Sequence, residues 1–269
     1  MLGLRRFLLT AALLAATVPL VGAAPLAPPE VALRYRSDWG GLHIADMVLT
    51  AQKAAGVYDL RLRIRTRGAV GWLFGLDLIA ESGGRGDDDL EPLRYQYHSL
   101  SPKDENLVAL RFDPETGVGH RVTARKRTLP NGQWVADSPD EVPLAAALRT
   151  GVFDPLSAFL EFGEETRRAI AAGRTSFSVP VFDGRRRFDL LGAIRATTPA
   201  GNVRLDMTVK PVAGFKRRHL AMWTDAAFDV EVDSRLWLPV RIVGDVAGPL
   251  LVIRAVQACP PAAGCVLTE

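Results

Sequence analysis

Over residues 58–65 apolar and polar side chains alternate one for one, with Tyr58, Leu60, Leu62 and Ile64 set against Asp59, Arg61, Arg63 and Arg65. A period of two belongs to an extended strand, whose side chains leave the backbone on opposite faces; a helix would scatter these residues around its axis. The pattern recurs. Val31, Leu33 and Tyr35 alternate with Ala32, Arg34 and Arg36, and Asp38-Trp39-Gly40-Gly41 then turns the chain into 42–49, which predicts a hairpin. Further strands are expected at 93–99, 107–112, 120–125, 176–182, 186–194, 202–209, 228–232, 236–243 and 250–256, separated by turns such as Asp183-Gly184 and Pro199-Ala200-Gly201-Asn202.

Helix is scarce by comparison. Asp154-Pro155 can cap and start one, with Leu156, Phe159, Leu160 and Gly163 roughly on one face and Gly173 as its stop. Val70-Gly71-Trp72-Leu73-Phe74-Gly75-Leu76 has no clear period and is read as a bulged strand or half-buried loop, and 82–89, rich in Gly and Asp, as a surface loop. The expected class is mainly β: a large antiparallel curved sheet, barrel or half-barrel, with one or two short helices. So many strands laid flat would curl or leave exposed edges.

The first residues set the compartment. Arg5-Arg6 precede a short apolar run ending in Val21-Gly22-Ala23-Ala24, the parts of a secretory leader. The expected division is a signal peptide at 1–23, cleaved between Ala23 and Ala24, and one β-rich periplasmic domain at 24–269. Arg5-Arg6-Phe7-Leu8-Leu9 loosely resembles a twin-arginine leader, but Leu4 and Thr10 depart from that pattern and favour the general secretory route. No second apolar run is long enough to span a bilayer, so no stable membrane span is expected in the mature chain. Of 33 basic and 30 acidic residues, Arg5 and Arg6 leave with the leader. The near balance that remains argues against nucleic acid as a partner. The two cysteines, Cys259 and Cys265, flank a short Pro- and Gly-containing turn in an exported chain and are read as a disulfide. A metal site would need nearby histidines, and a redox pair would normally be spaced Cys-x-x-Cys.

Reactive motifs are missing. There is no Gly-x-Ser-x-Gly elbow, phosphate-binding loop or His-Glu-x-x-His helix, so the chain is read as non-enzymatic, with no catalytic residues, no cofactor and no metal. His43 is the best candidate base, yet on a regular strand Asp46, three residues on, would face the other way. His98, His120 and His219 have no better company. Asp87-Asp88-Asp89 lacks the alternating ligand spacing of a calcium loop. Arg34 and Arg36 share one strand face and Arg61, Arg63 and Arg65 another, so pairing of those strands would create an anion-binding patch. The alternative is that these arginines merely solvate an outer face.

Several stretches resemble the domain-of-unknown-function 3108 family of exported bacterial proteins. They are Tyr35 with Gly40-Gly41-Leu42-His43-Ile44, Tyr58-Asp59-Leu60, Gly71-Trp72-Leu73-Phe74, Ser82-Gly83 and Leu90-Glu91-Pro92-Leu93-Arg94-Tyr95. The later half adds Asp154-Pro155-Leu156-Ser157, Val181-Phe182-Asp183-Gly184-Arg185-Arg186, Thr198-Pro199-Ala200-Gly201, Met222-Trp223 and Leu238-Pro239-Val240-Arg241. Ala45-Asp46 departs from the small Gly-Glu-like pair commoner in the family. The resemblance implies a periplasmic, mostly antiparallel curved sheet and carries no established activity.

Export, many strands and inward aromatics together predict a binder of a hydrophobic or amphipathic envelope component (lipid, acyl chain or peptide), with Tyr35, Tyr58, Trp72, Phe74 and Trp237 as ligand-contacting residues. The competing expectations are a solid core, an envelope-integrity scaffold acting through an envelope-protein partner, and, less favoured, an envelope hydrolase.

Overall fold

The computed structural model describes residues 30–68, 75–87, 89–136, 144–216, 220, 223–224, 226–245 and 249–259. The expected leader, Ala23, Ala24, Trp72, Phe74 and Cys265 lie outside them, as does the side chain of Cys259. Fourteen strands form one antiparallel sheet. They are β1 (Glu30–Trp39), β2 (Leu42–Ala54), β3 (Val57–Thr66), β4 (Asp77–Arg85), β5 (Glu91–Leu100), β6 (Asp104–Phe112), β7 (Gly119–Thr128), β8 (Val135–Ala136), β9 (Ser176–Phe182), β10 (Arg187–Thr197), β11 (Val203–Ala213), β12 (Ala227–Val232), β13 (Pro239–Asp245) and β14 (Leu250–Cys259). A 17-residue helix, α1 (Pro155–Ala171), separates β8 from β9.

Each strand pairs with its neighbour in sequence, except that β8 and β9 do not pair, and β14 pairs with β1. The chain is therefore an up-and-down meander whose first and last described strands meet in the middle of the sheet, with β8 and β9 at its margins. Residues 149–153 tie the start of β7 to β9. The Gly119 amide donates to the Arg149 carbonyl, Thr150 bridges Val118, and Phe153 bridges Val181. The sheet curves without closing along its full length.

The predicted strands appear, with two instructive displacements. The stretch read as loop at 82–89 is strand as far as Arg85, because its glycines serve close packing: a Cβ on Gly84 would overlap the Glu91 carbonyl oxygen and the Tyr58 ring. The strand expected from 236 starts at Pro239, because Asp233 accepts from the amides of Arg235 and Leu236 and holds a turn through Trp237, whose φ is 51°.

The helix fills the concave side. Asp154 caps it and Pro155 occupies its first turn. Leu156 and Leu160 join a core built from β1 to β6, while Ala158, Phe162 and Ala169 join a second core built from β9 to β13. At Gly163 the helix meets the β12–β13 turn so closely that a Cβ would overlap the Trp237 carbonyl oxygen.

Candidate ligand cavity and charged outer face

The first turn of α1 is fastened to the sheet by a buried polar chain. The Asp154 carboxylate accepts from the Leu156 and Ser157 amides, both at 2.9 Å, and from the Ser82 hydroxyl at 2.9 Å. The Ser157 hydroxyl lies 2.7 Å from that of Ser82 and 2.9 Å from that of Tyr58. Three stretches far apart in sequence, Tyr58-Asp59-Leu60, Ser82-Gly83 and Asp154-Pro155-Leu156-Ser157, thus meet in one network. All four side chains are fully buried. Burial pushes the Asp154 carboxyl above its ordinary pKa, and these hydrogen bonds oppose the shift. With all four side chains buried, the network staples the first turn of α1 to β3 and β4.

Beside the staple lies an apolar cavity of about 240 Å³. Its sheet wall is laid down in cross-strand rows: Leu49, Leu62 and Ala80 in one, and Met47, Ile64 and Leu78 in the next. Tyr35 and Tyr95 flank these rows, and Pro155, Leu156 and Phe159 of the helix form the opposite wall. Tyr35, Leu49, Ala80 and Leu156 are buried, whereas Met47, Ile64, Leu78 and Phe159 are only half-buried, so the space grades from a sealed interior toward solvent at the Met47–Ile64–Leu78 row. The Tyr35 hydroxyl donates to the Pro239 carbonyl at 2.8 Å. Desolvation raises the pKa of both tyrosines well above the usual phenolic range. Among the described residues the walls therefore carry no charge at ordinary pH, and the cavity can hold apolar matter.

Of the predicted ligand contacts, Tyr35 lines the cavity. Tyr58 does not: it is buried in the first core, with its hydroxyl engaged by Ser157. Trp237 packs against the second core, on the other side of α1. The remaining contacts are the aliphatic residues of alternating strands, whose signal was the inward half of the 58–65 pattern.

The predicted arginine patch has a different construction. β1 and β3 do not pair, because β2 lies between them. This places Asp46 directly between Arg36 and Arg65. Arg34 and Arg67 both reach Asp46, Arg36 reaches Asp38 at 2.8 Å, Arg63 and Arg65 share Asp77, and Arg61 approaches Glu81 at 3.5 Å. The outer face is a lattice of alternating sign. Its carboxylates come from strands that the sequence offered no reason to align.

Two histidine expectations are corrected. Asp46 does not face away from His43: the ring Nε2 lies 3.2 Å from its carboxylate. The pairing of β1 with β2 skips a residue, with Ser37 opposite Ala45 but Asp38 opposite His43, so the bulge at Ile44 turns residues three apart onto one face. His98 also has a partner, with Nε2 at 2.6 Å from Glu105. Among the described residues no group of three or more His, Cys, Asp or Glu side chains forms a metal-binding cluster, and no helix is long and apolar enough to cross a membrane.

Comparison with known proteins agrees with this architecture. The family model described as "Protein of unknown function (DUF3108)" matches residues 34–224. The crystal structure of a β-barrel-like protein of the domain of unknown function DUF1849 from Brucella abortus superposes with a TM-score of 0.52, covering 87% of this chain and 97% of that one at 12% identity. At that identity the likeness is one of fold. No curated protein matches the chain.

Proposed function

Since the chain belongs to the DUF3108 family of proteins of unknown function, its role has to be read from its own geometry, and we propose that it is a non-enzymatic periplasmic protein that holds one apolar chain, such as an acyl tail, against the concave face of its sheet. The single observation behind this reading is the uncharged cavity of about 240 Å³ between the rows of β2 to β4 and the first turn of α1. A dry apolar cavity of about 150 Å³ already accepts a benzene ring. The grading of its wall toward solvent gives a tail a way in while a polar head stays in water. The N-terminal leader motif supplies the expected compartment.

The test is native mass spectrometry of protein isolated from the periplasm, followed by organic extraction, together with titration of the delipidated protein with a fluorescent dodecanoyl probe. Wild type is expected to take up one probe. Leu62→Phe, which adds volume to the middle of the wall, is expected to weaken uptake at least tenfold while leaving the melting temperature unchanged or higher. Equal uptake by wild type and variant, or none by wild type, would end the proposal.

A scaffold reading has one observation in its favour: among the described residues β8 pairs with β7 only at Arg125 and Lys126, and Val122 on that strand is exposed. A partner strand could add there.

A further inference from the structure

The convex face carries an arrangement that folding alone does not favour. Arg241 on β13 stands directly opposite Arg254 on β14, and Arg254 stands directly opposite Arg36 on β1. Side chains directly opposite on adjacent strands have Cβ atoms about 5 Å apart, and like charges so placed repel. All three side chains are well exposed, at 43%, 52% and 39%. Carboxylates flank the row, with Glu231 on β12 directly opposite Arg241 and already accepting from the Asn202 amide, and Asp46 on β2 directly opposite Arg36, but the central Arg254 has arginine on both sides. Asp38 is shared between Arg36 at 2.8 Å and Arg254 at 3.5 Å, and Arg241 has the exposed Asp229 at 3.2 Å. The adjoining carboxylates are already divided, Asp46 among Arg34, Arg67 and His43, and Asp77 between Arg63 and Arg65. Each guanidinium presents five N–H donors in a fixed fork, more than these shared carboxylates can absorb.

We propose that the Arg241–Arg254–Arg36 row is a binding site for a soluble ligand bearing two or more linked phosphoryl groups. Two consecutive inter-strand gaps of about 4.8 Å separate the three arginines. Each gap is suited to one tetrahedral oxyanion bridging two forks, and a linked pair of phosphoryl groups fills both while relieving the repulsion. The convex curvature of this face limits how much of it can touch a flat bilayer, which favours a soluble ligand over a membrane surface. The site lies on the face of the sheet opposite the apolar cavity and is independent of it.

The experiment measures melting temperature in low-salt buffer with and without inorganic pyrophosphate, for wild type, Arg254→Gln and the control Arg195→Gln, whose arginine pairs with Asp206 on β11. Vesicle sedimentation with phosphatidylglycerol runs in parallel. Pyrophosphate is expected to raise the wild-type and Arg195→Gln melting temperatures by about 3 °C at saturating concentration and that of Arg254→Gln by less than a third as much. Without the anion, Arg254→Gln is expected to melt above wild type, because the row has lost its central like charge. The proposal is overturned if pyrophosphate stabilises all three proteins equally or none of them. It is also overturned if Arg254→Gln melts below wild type without anion, or if vesicles bind wild type and pyrophosphate does not.

Discussion

Glu161 lies on the inward side of α1, 5% exposed, with Arg168 as its ion-pair partner and its Oε2 left without a hydrogen bond. Burial pushes its carboxyl up to about 7, and the attraction of Arg168 only partly offsets the shift. A raised carboxyl means that the native state binds the proton more tightly than the unfolded chain does. This contribution is complete below about pH 4.5 and is lost as the pH rises through about 7. Wild type should therefore lose roughly 1–3 kcal/mol relative to Glu161→Gln between pH 5 and pH 8, read from urea denaturation at both pH values. Parallel pH profiles for the two proteins would refute this. Asp77 and Glu105 are shifted the other way by their arginine and histidine partners, so their support is present above the ordinary carboxylate range and disappears only in stronger acid. Gly163 makes a second prediction at this scale. Gly to Ala inside a helix ordinarily gains up to about 1 kcal/mol. Here the overlap with the Trp237 carbonyl reverses the sign, and Gly163→Ala should lose about 2 kcal/mol or more.

At the scale of the element, α1 is held by its beginning. Its cap, Asp154, satisfies the Leu156 and Ser157 amides and also reaches across to Ser82 on β4, so one side chain both starts the helix and docks it. Asp154→Ala removes the cap and leaves the Ser82 hydroxyl with one fewer partner in the interior. The combined cost should be about 3 kcal/mol, and Asp154→Asn, which keeps an acceptor, should cost less. Denaturant titration of the two variants decides the point; equal losses would mean that charge matters and the hydrogen bonds do not. The same logic accounts for the turn at 183–186. Asp183 accepts from the Arg185 and Arg186 amides, and the Arg186 guanidinium lies 4.7 Å over the Trp223 ring. Stretches that resemble the family are thus accounted for by fastening elements together.

For the whole molecule the decisive fact is that the first and last described strands pair in mid-sheet, with Ala32 opposite Cys259, while near the margins the 149–153 strap ties the start of β7 to β9. A circular permutant that links residue 259 to residue 30 through a short flexible linker and opens the exposed Ala200–Gly201 turn should fold with a melting temperature within a few degrees of wild type. Every strand pair survives that cut. If such a permutant failed to fold, the closure of β1 on β14 would depend on native chain order more than on pairing.

Periodicity determined a good deal by itself. The alternation at 58–65, the hairpin at 31–49 and the Asp154-Pro155 start of α1 were legible because each depends on residues within a few positions of one another. Which side of an alternating strand faces inward was legible too. What the tertiary structure decided is whatever depends on register between strands distant in sequence: Asp46 falling between Arg36 and Arg65, Arg254 falling between Arg241 and Arg36, and Ser82 reaching the cap of α1. The bulge that brings His43 to Asp46 belongs to the same class, because one skipped partner reverses a face and no local pattern marks where the skip occurs. The cavity is likewise a property of spacing between the sheet and the helix. The alternating residues prescribe its lining, and its volume follows from where the Asp154 staple seats the first turn of α1 against β3 and β4.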